Sequence, residues 1–179
     1  KFIGSLKKTR GKKINSDALI TNLKGICLGV LTADCAPVLI YDKNIKMISV
    51  IHAGWKGALG GIIKEVIFYF KKKGSNFRNI TAVIGPCISK KNYEVKKDFV
   101  TKFIKKDKKN RKFFSKKNYK TYFSLNSYIK HEIIRLGIKN IEIINRDTYN
   151  SKNNFFSARK SIKNKVNDYG RNISVIMIN

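Results

Sequence analysis

The chain has 179 residues and is 42% apolar, enough to bury one domain core, and no stretch approaches the ~20 apolar residues of a membrane span. Its 39 Lys+Arg against 11 Asp+Glu give +28, a charge that favours polyanions, yet the lysines are scattered, with no RNP signature, Arg-rich helix or C2H2 spacing, so no specific nucleic-acid code is expected. Cys27, Cys35 and Cys87 are odd in number and lack secreted or CxxC spacing, which argues against a disulfide framework or a zinc finger and points to a reducing, cytoplasmic compartment.

Lys1 to Lys13 is basic but has no apolar run or small-residue cleavage site, so it does not read as a secretory signal. Position 1 is not Met, and the expectation is a single domain over 1–179, incomplete at its N-terminus. Asp17 to Thr21 and Ile26 to Thr32 read as two strands with a turn at Asn22 to Gly25. Pro37 to Tyr41 and Met47 to Ile51 read as a strand pair, with Asp42-Lys43-Asn44 supplying the turn. Leu59, Ile62, Ile63, Val66, Ile67 and Phe70 form one helical stripe, stopped by Gly74 after three lysines. Ile80 to Ile84 is a buried strand ended by Gly85-Pro86, and Val95 to Ile104 a short helix. Ser124 caps a second amphipathic helix, with Leu125, Tyr128, Ile129, Ile133 and Leu136 on one face, ended by Gly137. Ile141 to Ile144 and Ile173 to Ile178 are the last strands. The basic run Lys102 to Lys117 reads as a solvated face or mobile loop. The pattern is α+β with largely antiparallel or mixed pairing in one domain.

Three places break the local pattern, as sites tend to do. Thr32-Ala33-Asp34-Cys35-Ala36-Pro37 puts an acid and a thiol between two apolar strands. Ile51-His52-Ala53-Gly54-Trp55-Lys56-Gly57 ends a strand on a His, followed by two glycines and the single Trp. Gly85-Pro86-Cys87-Ile88 again puts a thiol at a strand end. Cys35 and His52 end consecutive strand segments, which a hairpin or crossing brings to one rim, and a thiolate with an imidazole suits Zn²⁺. A catalytic zinc wants three protein ligands, and His131, beside Glu132 and Arg135 on a helix, reads as surface. The competing structural readings are a satisfied core histidine and a small buried thiol. The competing chemical reading is nucleophilic catalysis, with Cys35 or Cys87 attacking, His52 as base and Asp34 as its orienter.

In order and spacing, DALIT, LTADCAPVLIYD, IHAGWKGALGGI, IGPCISKKNYEV, FFSARK and DYGR resemble the YfiH-like family, long labelled polyphenol oxidoreductase of laccase type, from about Asp17 to the C-terminus. The resemblance implies a mixed α+β sandwich with flanking helices, shared with certain cysteine-hydrolase-like toxins. It implies one zinc held by Cys35, His52 and a third His upstream of DALIT; no His lies between Lys1 and Ser16, so that ligand is expected before Lys1. Lys56 stands where the family more often has Arg, keeping the charge without the bidentate fork. The implied activity is phosphorolysis of adenosine, inosine and methylthioadenosine, and deamination of adenosine, with purine nucleosides and phosphate as partners and a monomeric state expected. Catalytic candidates are Cys35, His52 and Asp34, the last alternatively supporting the metal site; Arg159 and Arg171 are candidates for phosphate or ribose, and Trp55 and Phe156 for stacking on a purine. The laccase label conflicts with composition, because a multicopper site needs many imidazoles and these residues contain two; adventitious copper at Cys35 and His52 would oxidise phenols weakly. Two further alternatives are a cysteine hydrolase or amidase of peptidoglycan precursors and a basic nucleic-acid-binding module.

Overall fold

The computed structural model describes residues 1, 3, 4, 15–166 and 168–179, so most of the basic segment Lys1 to Lys13, and the reading made of it, lies outside the described residues. The centre is a tight hairpin of two seven-residue strands, β3 (Ala36–Asp42) and β4 (Met47–Ala53), paired antiparallel from Ala36↔Ala53 to Asp42↔Met47. The Asp42 carboxylate closes the turn, accepting from the Asn44 and Ile45 amides and from the Ser75 hydroxyl. β1 (Ala18–Thr21) adds beside β4 and β5 (Ile80–Ile84) beside β3, both antiparallel; β9 (Asn140–Ile143) lies parallel to β5. The order is β1-β4-β3-β5-β9.

Alternation gives this sheet two apolar faces. Val38, Ile40 and Ile51 join the main core with α2 (Ile62–Lys72) and α4 (Leu125–Arg135). Ile48 and Val50 instead join Leu28 and Ile178 in a smaller cluster under a two-stranded ribbon of β2 (Leu28–Thr32) and β10 (Asn172–Ile176). The expected α+β mixed sandwich with flanking helices is present. The turn after Thr21 does not make a hairpin, however: β1 and β2 belong to different sheets, because the chain crosses from one layer to the other there. A third sheet, β6 (Glu94–Val95), β8 (Lys120–Phe123) and β7 (Phe114–Lys117), sits with α3 (Lys97–Lys106) over an aromatic cluster of Phe99, Phe103, Phe123 and Tyr128.

Other boundaries shift for local reasons. The stripe from Leu59 to Phe70 is two helices, α1 (Trp55–Gly60) and α2, split at Gly61, whose φ of +93° only glycine adopts without cost. Gly74 at +89° stops α2 as expected. Ser124 precedes α4, but its hydroxyl hydrogen-bonds with Asn126 Oδ1 and Ser127 Oγ and does not cap the backbone. Val95 is strand. Lys102 to Lys117 is not a loop: it runs through α3, a 3-10 segment at Lys108–Phe113 and β7, pinned by buried Phe103, Asn110 and Phe113. His131 is half-buried against Phe113, with ring centroids 5.4 Å apart. Among the described residues no helix is long and apolar enough to cross a membrane.

Candidate metal and substrate site

The β3–β4 register builds the site. Pro37 pairs with His52 and Ala36 with Ala53, so Cys35, one step before β3, arrives beside the end of β4. Gly54 measures how close thiol and ring come. A Cβ placed there would lie 2.9 Å from Cys35 Sγ and 3.8 Å from His52 Nε2, so both atoms border one small volume that a larger residue would fill. The imidazole is oriented from behind: its Nδ1 sits 3.3 Å from Asp17 Oδ1, and the His52 amide donates to the Asp17 carbonyl at 2.7 Å. A carboxylate behind Nδ1 leaves Nε2 as the ring nitrogen on the side of the Gly54 space, the arrangement typical of metal-ligating histidine.

This donor set fits part of a zinc site: one soft sulfur, one oriented imidazole nitrogen and a space kept open by Gly54. Among the described residues no group of three His, Cys, Asp or Glu is gathered closely enough to hold a metal. Burial pushes the Cys35 thiol up to about 11, helped by the carboxylates of Asp34 and Asp17. The free thiol is therefore neutral at physiological pH, and a nearby cation is what would convert it to thiolate.

The Asp34 carboxylate is engaged by partners other than His52. Asp34 sits at φ +81°, and its buried carboxylate accepts from Thr148 Oγ1 (2.7 Å), Ser157 Oγ (3.0 Å) and the Arg159 amide (2.6 Å). Its carbonyl accepts from the Ile88 amide at 3.0 Å. Asp34 is thus a tie between four loops, and the orienter of His52 is Asp17, which sequence reasoning missed. The signal available for it was the first residue of DALIT, a carboxylate directly before a strand that has to pair with the one carrying His52.

Arg159 is brought to the site. Its guanidinium donates to the Glu94 carbonyl at 2.8 Å and lies 5.3 Å from the Tyr93 ring centre. It lines two adjoining cavities, one of about 200 Å³ with Cys35, Ile88, Tyr93, Leu125 and Ile162, the other of about 380 Å³ with Trp55, Tyr93, Lys96 and Phe99. Tyr93, also missed, is shared by both. Burial raises its phenol well above the ordinary value, with Cys35 adding to the effect, so it stays a hydrogen-bond donor. Trp55 packs against Phe99 at 4.8 Å while edging the second cavity. Arg171 does not line either cavity; it is exposed and lies over Tyr169. Phe156 is 54% exposed and packs on Gly170, where any Cβ would meet its ring at 2.6 Å. Cys87 is buried, and burial drives its thiol up to about 12, which fits packing better than attack.

The sequence from 4 to 179 matches the family model described as multi-copper polyphenol oxidoreductase laccase. A purine nucleoside phosphorylase of Rickettsia prowazekii is 35% identical over 165 residues, covering 91% of this chain and 68% of that protein. An adenosine deaminase, RL5, from an unknown prokaryotic organism is 40% identical over 89 residues, covering 50% of this chain and 34% of that one. The crystal structure of the Bacillus licheniformis hypothetical protein YfiH superposes with a TM-score of 0.83 at 30% identity, covering 92% of this chain and 62% of that one. The chain spans about two thirds or less of the length of the first relatives it matches.

Proposed function

The chain belongs to the YfiH-like family, the multi-copper polyphenol oxidoreductase laccase family, and from that premise we propose that it is a zinc-dependent purine nucleoside enzyme acting by phosphorolysis, deamination or both. The observation that carries the reading is the convergence of Cys35 Sγ and His52 Nε2 on the space kept open by Gly54, beside a cavity walled by Tyr93 and Arg159. The names of the relatives, purine nucleoside phosphorylase and adenosine deaminase, support the substrate class. Cys35 and His52 would hold the zinc together with a third ligand outside the described residues. When bound, that cation supplies the Lewis acidity that activates water or phosphate at neutral pH.

The remaining work falls to the chain's own side chains. Asp17, 3.3 Å from Nδ1, orients the ring so that Nε2 is the atom offered to the cation. Ile88, Leu125 and Ile162 give the smaller cavity an apolar wall for a purine. Tyr93 offers a phenol that remains protonated. Arg159, fixed by the Glu94 carbonyl and the Tyr93 ring, presents a cation to phosphate or ribose oxygen. Asp34 holds the Arg159 backbone and the Cys35 loop in one frame.

The test is incubation of the full-length protein with adenosine and phosphate, with and without added zinc. Appearance of adenine or inosine supports the proposal; neither product from zinc-loaded protein rejects it. The cysteine-hydrolase alternative is disfavoured by the raised Cys35 thiol and by the engagement of Asp34 away from His52. Thiol alkylation discriminates: a metal-held Cys35 reacts only after chelation, whereas a free nucleophile reacts in both conditions.

A further inference from the structure

We propose a second ligand site, for a phosphorylated nucleoside, in the cleft at the C-terminal ends of β5 and β9. These two strands run parallel, so the loops that leave their carboxyl ends emerge on the same side of the sheet. The loops that leave them enclose a cavity of about 710 Å³, within the range of small-molecule sites. Cys87 and Ser89 border it from one side, Asn145, Arg146 and Asp147 from the other. It is separate from the zinc site: Ile88 faces the smaller Cys35 cavity, while its neighbours Cys87 and Ser89 face this one.

Three features give the cleft its ligand chemistry. Lys90, Lys91 and Arg146 line it, Lys90 half-buried, and none has a carboxylate partner among the described residues. Against them stands one acid, Asp147, whose carboxylate already accepts from the Ser89 amide and hydroxyl, the Asn92 amide group and the Tyr149 amide. Those bonds tie the two loops together, so the cations sit on a preorganised frame with a net positive balance. Ile143 and the 49% exposed Ile144 add apolar surface, and Asn126 and Asn145 add amide donors and acceptors. Cations for a phosphate, apolar contact for a flat ring and amides for its edge together fit a nucleoside monophosphate better than a bare anion.

The probe is AMP, titrated calorimetrically at physiological salt, where diffuse surface charge is screened. Saturable binding is expected, weakened at least about tenfold in the Lys90→Gln/Arg146→Gln double variant by loss of the charge-assisted bonds. The charge-matched control Lys108→Gln/Lys116→Gln should stay within about twofold, as exposed cations elsewhere contribute little. Cys35→Ser should bind AMP as the parent does, which keeps this site distinct from the zinc site and independent of the activity proposed there. No saturable binding, equal weakening by the control pair, or loss in Cys35→Ser would each overturn the proposal. Inorganic phosphate binding as tightly as AMP would overturn its nucleoside part.

Discussion

The two halves of the proposed zinc site are put together by different physics. Cys35 and His52 are brought to one end of the sheet because β3 and β4 are paired in one register; their approach is as secure as the hairpin, which is buried on both faces. Arg159 reaches the same place from 125 positions beyond Asp34, through the hydrogen bond of its amide to the Asp34 carboxylate, which also accepts from Thr148 and Ser157. Backbone pairing positions the proposed metal donors Cys35 and His52, and a buried polar cluster positions the Arg159 cation. Damage to the first should therefore show in metal content, and damage to the second in folding stability and substrate affinity.

The largest effect is expected in the first half. Cys35→Ala and His52→Ala should each lose stoichiometric zinc on dialysis, measured by elemental analysis, with the fold intact by circular dichroism. Full zinc retention in both variants would remove the assignment. Next comes the second half. Asp34→Ala strands two buried hydroxyls and a backbone amide and puts alanine at φ +81°, at a cost of about 3 kcal/mol in urea denaturation. Asp34→Asn, which keeps one acceptor and tolerates that backbone, should cost about half as much. Equal losses in the two would mean that the hydrogen bonds are not what holds the loops.

A smaller effect is expected from Asp17→Asn. It removes the charge behind His52 but leaves the β1–β4 pairing in place, so stability should barely move, the Asp17 side chain being 67% exposed. Zinc affinity should fall roughly 10- to 100-fold, as for other outer carboxylates of metal-ligating histidines. Zinc affinity unchanged by this variant would leave the orientation of His52 to the strand alone.

The same contrast explains what could be read in the sequence. The hairpin, the α2 stripe and the Cys35–His52 meeting are encoded within about twenty residues, where period and turn chemistry are informative. Asp17 was visible only as a strand's first residue. The bonding of Asp34 to residues 114 to 125 positions away leaves no local trace, so its place as a tie between loops was not legible in the sequence. Arg159 and Arg171 look alike in sequence, an arginine in a polar segment; only the packing of Tyr93 and Glu94 distinguishes the one that lines the cavities. Of the two readings of the basic run, the mobile loop fails and the solvated face holds, because the anchors Phe103, Asn110 and Phe113 are thin among exposed lysines.

The smallest effect concerns a second carboxylate that joins loops, Asp147. Burial alone would raise its pKa, but the hydrogen bonds from Ser89, Asn92 and Tyr149 outweigh burial and hold it below the ordinary 3.8. A carboxylate depressed on folding adds stability that is present above its unfolded pKa and lost as pH falls through the folded value. Above pH 4, Asp147→Asn should therefore be less stable than the parent by about 1 kcal/mol, the amide being unable to accept from all four donors. On acidification below 3.8 the parent should lose this advantage and the two stabilities converge. Urea midpoints at pH 7 and at pH 3 test it: an offset of the same size at both would show that the asparagine is misfitting in shape, and that the ionised carboxylate is not what binds the Ser89 loop to the Tyr149 loop.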